Sequence, residues 1–152
     1  MSATAPVRIG HEVIAASAGT GKTFQLVSRY VHLLLLGVEP ERIVALTFSR
    51  KAAGEIFDRI IRRLTDWLAD PEICRQQALA ADMPVPDAAQ LRAVLRSLLL
   101  SAHRLRIGTL DSFMVAILRA FPFEFGLTGE IAILDEAREQ EARELALGSV
   151  LN

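Results

Sequence analysis

The sequence predicts an α/β fold, a parallel sheet with flanking helices. Three observations carry that expectation. Apolar runs within residues 12–16 and 43–48 are unbroken and short, as in strands buried on both faces. Each run is followed by apolar residues at helical spacing, and strands that alternate with helices join as parallel neighbours. Between the first run and its helix lies a loop of small residues, Ser17, Ala18, Gly19, Thr20 and Gly21.

The elements follow in chain order. Val13, Ile14 and Ala15 form the first strand run. Phe24, Leu26, Val27, Tyr30, Val31, Leu33 and Leu34 mark a helix that Gly37 closes. Residues 43–48 make the second strand. Ala52, Ala53, Ile56, Ile60, Ile61, Leu64 and Leu68 then mark a long amphipathic helix. Arg59, Arg62 and Arg63 read as its solvated face, because Glu55 and Asp58 sit among them. Asp70-Pro71 breaks this helix, and a polar, helix-prone stretch runs to the loop at Pro84 and Pro86. Asp87 caps a helix bearing Leu91, Val94, Leu95, Leu98 and Leu99, so residues 70–105 form a helical segment. Residues 106–110 are a short strand candidate. Phe113, Ile117, Leu118 and Phe121 follow as a helix that Pro122 stops. A last periodic stretch starts near Asp135 and reaches the chain end without a stop signal, as expected of part of a larger domain.

Composition narrows the function classes. The 152 residues are 51% apolar and 23% charged, which excludes a disordered or collagen-like chain and allows a real core. The formal net charge of −1 means that any nucleic-acid contact must be local. One cysteine, Cys74, permits no internal disulfide, and the three histidines have no zinc spacing. No apolar run approaches the roughly 20 residues that span a bilayer, and the first residues lack a signal-peptide core. A soluble, cytoplasmic protein with no membrane contact is expected.

Ala16, Ser17, Ala18, Gly19, Thr20, Gly21, Lys22 and Thr23 fit the phosphate-loop pattern, with Ala in place of its first Gly. Small residues let consecutive backbone N–H groups turn inward around phosphate oxygens. The helix beginning near Lys22 adds its N-terminal dipole and donors. Lys22 supplies a flexible cation for the β- and γ-phosphates, and the Thr23 hydroxyl suits an Mg²⁺ ion. A strand before the loop and a helix after it are the setting this chemistry requires.

The loop at residues 16–23, Ile-Val-Ala-Leu-Thr-Phe-Ser-Arg-Lys-Ala-Ala-Gly-Glu-Ile at 43–56 and Ile-Gly-Thr-Leu-Asp-Ser-Phe at 107–113 together resemble the superfamily 1 UvrD/Rep-type DNA helicases. The resemblance is strongest to the RecB and AddA helicase–nuclease subunits. It extends to Arg-Ala-Phe-Pro-Phe-Glu-Phe-Gly-Leu at 119–127, and so over nearly the whole chain. It departs from the family at Asp111, where motif Ib usually has His, and in having no Gln upstream of the loop. The resemblance implies that residues 1–152 are the N-terminal part of a first RecA-like domain of the P-loop NTPase class. It implies ATP and Mg²⁺ as ligands, single-stranded and duplex DNA as partner, a second helicase–nuclease subunit, and a role in unwinding and recombinational repair. Of the family's catalytic residues it carries over Lys22 alone. The DExx box, the arginine finger and the second RecA-like domain would lie beyond Asn152, so the chain by itself should bind nucleotide without useful hydrolysis.

Residues 47–51, Thr47, Phe48, Ser49, Arg50 and Lys51, end a strand at its carboxyl edge, where ligands bind in open α/β sheets. Hydroxyls and cations there suit a single-strand backbone, and Phe48 packs either a base or the core. The resemblance implies DNA contact at these residues and at Thr109, Asp111 and Ser112. Thr109 or Asp111 equally suits a helix cap, and the Asp111 carboxylate would repel phosphate.

Two rival readings remain at this level. Asp135 and Glu136, after an apolar run, could be the Walker B pair of a small self-contained P-loop kinase or NTPase. The cap of the last helix is the favoured reading of that pair. A non-catalytic assembly module with an idle phosphate loop is the other rival.

Overall fold

The structure is a computed structural model that describes residues 10, 11, 13, 21–127, 138–140, 143, 144, 147 and 148. Two compact units divide the chain, Met1–Asp111 and Ser112–Asn152.

In the first unit, helix α1 spans Lys22–Leu35. Its buried residues Val27, Tyr30, Val31 and Leu34 lie at helical spacing, which puts one apolar stripe against the rest of the unit. Gly37 ends it in the left-handed region, φ +85°, as the glycine after the last apolar residue predicts. Strand β1, Val44–Thr47, leads into the 20-residue helix α2, Arg50–Ala69. Asp70 caps the next helix, α3 (Pro71–Ala80), by accepting from the Glu72 and Ile73 amides. Asp87 caps α4 (Ala88–Leu100) through the Gln90 amide at 2.7 Å, the cap the sequence predicts. Strand β2, Arg106–Thr109, then pairs in parallel with β1, in the register Val44↔Arg106 to Thr47↔Thr109. A two-stranded parallel pair joined by a helical crossover is the α/β arrangement expected of the chain.

The core gathers around α2. Ile56, Ile60, Leu64 and Trp67 are buried along one face of it and meet α1, Cys74, Ala78, Leu91 and Leu98. The Trp67 indole N–H donates to Gln77 Oε1 at 2.9 Å, so its one polar atom is satisfied.

Three expectations are corrected here. Val13, the described residue of the first strand run, lies outside any strand and is 96% exposed. The rest of that run, residues 12 and 14–16, lies outside the described residues. Residues 43–48 do not form a strand buried on both faces. Ile43 and Ala45 face the core, whereas Val44 and Leu46 are exposed. The reason is that helices cover one face of a sheet with only two described strands. Leu99 is likewise exposed, because α4 buries the narrower stripe of Leu91 and Leu98.

Helix α5, Leu110–Ala120, ends before Pro122 as the sequence predicts, and none of its residues is buried. In the second unit a 3₁₀ turn, Phe123–Phe125, closes on Gly126 at φ +66°. The described residues of the last stretch are helical, and Arg143 pairs with Glu139 at 2.6 Å. Asp135 and Glu136, the candidate Walker B pair, lie outside the described residues.

Candidate functional site

Helices α1 and α2 and the end of β1 enclose a cleft of about 830 Å³ in the first unit. Lys22, Thr23, Gln25, Leu26 and Arg29 form one wall. They follow helical spacing from Lys22, so a single stripe of α1 supplies them. The opposite wall comes from Leu46, Thr47, Phe48 and Ser49, with Ala52, Glu55 and Ile56 on the first turns of α2.

Local chemistry shapes both walls. Gly21 stands at the N-cap of α1 with φ +88°, a left-handed conformation that costs glycine nothing and an L residue about 1–2 kcal/mol. It brings no side-chain oxygen to the helix start, and the first turn holds no acidic residue. The positive end of the α1 dipole therefore faces the cleft without a carboxylate of its own first turn to offset it. On the other wall, the Thr47 hydroxyl accepts from the Ser49 amide at 3.1 Å and donates to the Ser49 carbonyl at 2.8 Å. Ser49 Oγ accepts from the Ala52 amide at 3.1 Å and so caps α2. This tight hydroxyl-built turn throws the Phe48 ring outward, where it is 95% exposed. Of the two alternatives for Phe48, packing in the core is excluded.

The predicted residues divide. Lys22, Thr23, Thr47, Phe48 and Ser49 share the cleft, and Gly21 stands at its entrance helix. Ala16, Ser17, Ala18, Gly19 and Thr20 lie outside the described residues. Arg50 and Lys51 are exposed on the first turn of α2, outside the cleft lining. Thr109 is brought beside Thr47 by the strand register, and Asp111 is exposed just beyond it. Ser112 belongs to the second unit and is exposed.

Sequence reasoning missed Gly10, His11, Arg29 and Glu55, all of which line the cleft. Arg29 donates to the Gly10 carbonyl, tying Gly10 to α1. The signal for Arg29 was present, since it stands at i+7 from Lys22 on the same helix face. Nothing comparable marked Gly10. Sequence reasoning also misplaced Arg63. It is half-buried, donates to Ser28 Oγ at 2.6 Å and lies 4.3 Å over the Phe24 ring, so only Arg59 and Arg62 form the solvated face. Among the described residues, no group of His, Cys, Asp and Glu could hold a metal ion. Thr23, a hydroxyl beside Lys22 in the cleft, fits an ion that takes its other oxygens from a bound phosphate. Among them also, no helix is long and apolar enough to cross a membrane.

The parallel strand pair, its helical crossover and a cleft at the carboxyl end of β1 define a partial α/β domain with its candidate ligand site at the strand ends. The profile of the UvrD/REP helicase N-terminal domain matches residues 2–149, and the chain belongs to that family. It is 33% identical over 132 residues to the ATP-dependent helicase/nuclease AddA protein of Streptococcus sanguinis (strain SK36), covering 84% of this chain and 9% of that protein. It is 30% identical over 128 residues to the protein of that name from Streptococcus suis (strain 98HAH33), with the same two coverages. The Streptococcus mutans protein of that name is 28% identical over 129 residues, covering 85% of this chain and 9% of the relative. The chain thus spans about a tenth of the length of these relatives. No solved structure gave a significant match.

Proposed function

We propose that the chain is the ATP-binding N-terminal region of an ATP-dependent DNA helicase of the AddA helicase–nuclease type, working in the cytoplasm in DNA unwinding and recombinational repair. One observation carries this reading: a single cleft joins Lys22 and Thr23, at the start of a glycine-led helix, to the turn at Thr47, Phe48 and Ser49. In that reading the loop at residues 16–23 wraps the phosphates, the α1 dipole and Lys22 balance their charge, and Thr23 holds Mg²⁺, which would screen the phosphate oxygens. The exposed Phe48 stacks a base of single-stranded DNA, and Arg50 and Lys51 meet its backbone. Thr109, Asp111 and Ser112 are the further positions proposed along that strand. Hydrolysis needs a positioned water and a cation on the developing charge, which a longer protein with a second RecA-like domain would supply. A second helicase–nuclease subunit is the proposed partner.

The test is nucleotide binding by calorimetry. Lys22→Ala should weaken ADP and ATP binding in Mg²⁺ by about 1.5–3 kcal/mol, the scale of one charge-assisted contact. Equal affinity in wild type and variant would refute the assignment of the cleft.

A further inference from the structure

Arg63 sits in a setting unusual for a cation. Its guanidinium lies 4.3 Å from the centroid of the Phe24 ring, and Nη1 donates to Ser28 Oγ at 2.6 Å. Ser28 is 6% exposed and passes the interaction on, its Oγ donating to the Phe24 carbonyl at 2.9 Å. A charged donor polarises the hydroxyl it meets and strengthens the bond that the hydroxyl makes in turn. Both ends of this chain of contacts fall on one residue, ring and carbonyl of Phe24, which directly follows Thr23. Burial lowers the Arg63 pKa from its ordinary value, a sign that desolvating this cation costs free energy. No carboxylate among the described residues repays that cost by pairing with it. A leucine there would pack α1 on α2 without the penalty. What the guanidinium adds is direction, since its N–H donor and its stacking on the ring are satisfied together in only a narrow range of geometries.

We propose that Arg63 is a positioning residue. Clasping Phe24 directly and through Ser28, it holds the start of α1, and with it Lys22 and Thr23, in place across the cleft from the turn that begins α2. The proposal rests on the nucleotide reading of that cleft.

Arg63→Met keeps the apolar stem and removes the donors, whereas Arg63→Lys keeps a cation for the ring and the hydroxyl. Arg59→Met, on the exposed face of the same helix, is the control. Two quantities are measured on the chain: amide hydrogen exchange along α1, α3 and α4, and ADP affinity in Mg²⁺. Arg63→Met should speed exchange at residues 24–28 about fivefold or more, leave α3 and α4 unchanged, and weaken ADP binding about fivefold. Ser28→Ala should do the same to a smaller extent, because the ring contact remains, and the double variant should be no worse than Arg63→Met alone, which already breaks both contacts. Arg63→Lys should recover most of both losses. Unchanged exchange at residues 24–28 overturns the proposal, and so does protection lost equally in α3 and α4, which marks a purely structural role. An ADP affinity that falls in Lys22→Ala but not in Arg63→Met overturns it as well. Local loosening in Arg63→Met beside an unchanged ADP affinity in Lys22→Ala leaves the clasp standing and removes the nucleotide reading.

Discussion

Two helices begin at the same cleft, and they begin differently. Helix α2 is closed by its own residues: Thr47 shapes the turn, and Ser49 Oγ takes the Ala52 amide. Helix α1 starts from Gly21, whose left-handed backbone brings no side-chain oxygen to the first turn. A self-capped start is a rigid platform, suited to displaying Phe48, Arg50 and Lys51. A start led by a glycine is suited to receiving an anion, since a helix N-terminus offers N–H donors and the positive end of the dipole. The contrast extends to the rest of the unit, where Asp70 and Asp87 cap α3 and α4 with their side chains. In the proposed reading the two walls of the cleft would have different tasks, one to bind and one to present.

The comparison fails altogether if the shared support is removed. Leu64 is fully buried in the cluster that α1 and α2 share. Leu64→Ala should cost about 2–5 kcal/mol in denaturant unfolding followed by Trp67 fluorescence, and both helix starts should loosen together. Loss confined to one helix would show that the two starts have separate foundations.

Phe48→Ala sharpens the comparison from the presenting side. The ring is almost wholly exposed, so its loss should change stability by less than about 0.5 kcal/mol. Binding of a short oligothymidylate should nonetheless weaken by about 1–3 kcal/mol in a fluorescence titration, and ADP affinity should stay unchanged. A joint loss of both ligands would mean that the walls do not work separately.

The anchoring of α1 can be loosened by pH. Burial pushes the Tyr30 phenol up to about 12 from an ordinary value of 10.0, and its hydroxyl donates to the Pro40 carbonyl at 3.5 Å. Below pH 10 the folded and unfolded chains both hold this proton, so the stabilisation is fully present. As pH rises from 10 through 12 the unfolded chain ionises first, and stability falls by up to about 2 kcal/mol. Denaturation midpoints at pH 9 and pH 11 should therefore diverge in wild type and should do so much less in Tyr30→Phe. Tyr30 is the only tyrosine, so tyrosinate absorbance reports it alone.

The smallest effect belongs to the cap. Ser49→Ala should cost about 1 kcal/mol and speed exchange of the Ala52 amide, without changing exchange at the start of α1. A Ser49→Ala chain as stable as wild type would mean that the turn at Thr47 suffices to start α2.

What the sequence determined by itself is local. The glycine at 37 that ends α1, the Asp87 cap and the proline stop at 122 are interactions across a few residues, and each was legible as a residue type in position. The family was legible too, because its motifs are short runs whose order survives without any fold. The tertiary structure alone decided the matters in which distant residues meet. It brought Thr47 beside Thr109, set Lys22 and Arg29 across a cleft from Phe48, and exposed Val44 and Leu46. It also turned Arg63 from the solvated face into the contact with Ser28 and Phe24. Periodicity says that a helix or strand has an apolar face, but not which element covers it. That depends on contacts far apart in the chain, and a side chain as long as arginine's can reach either into them or into water.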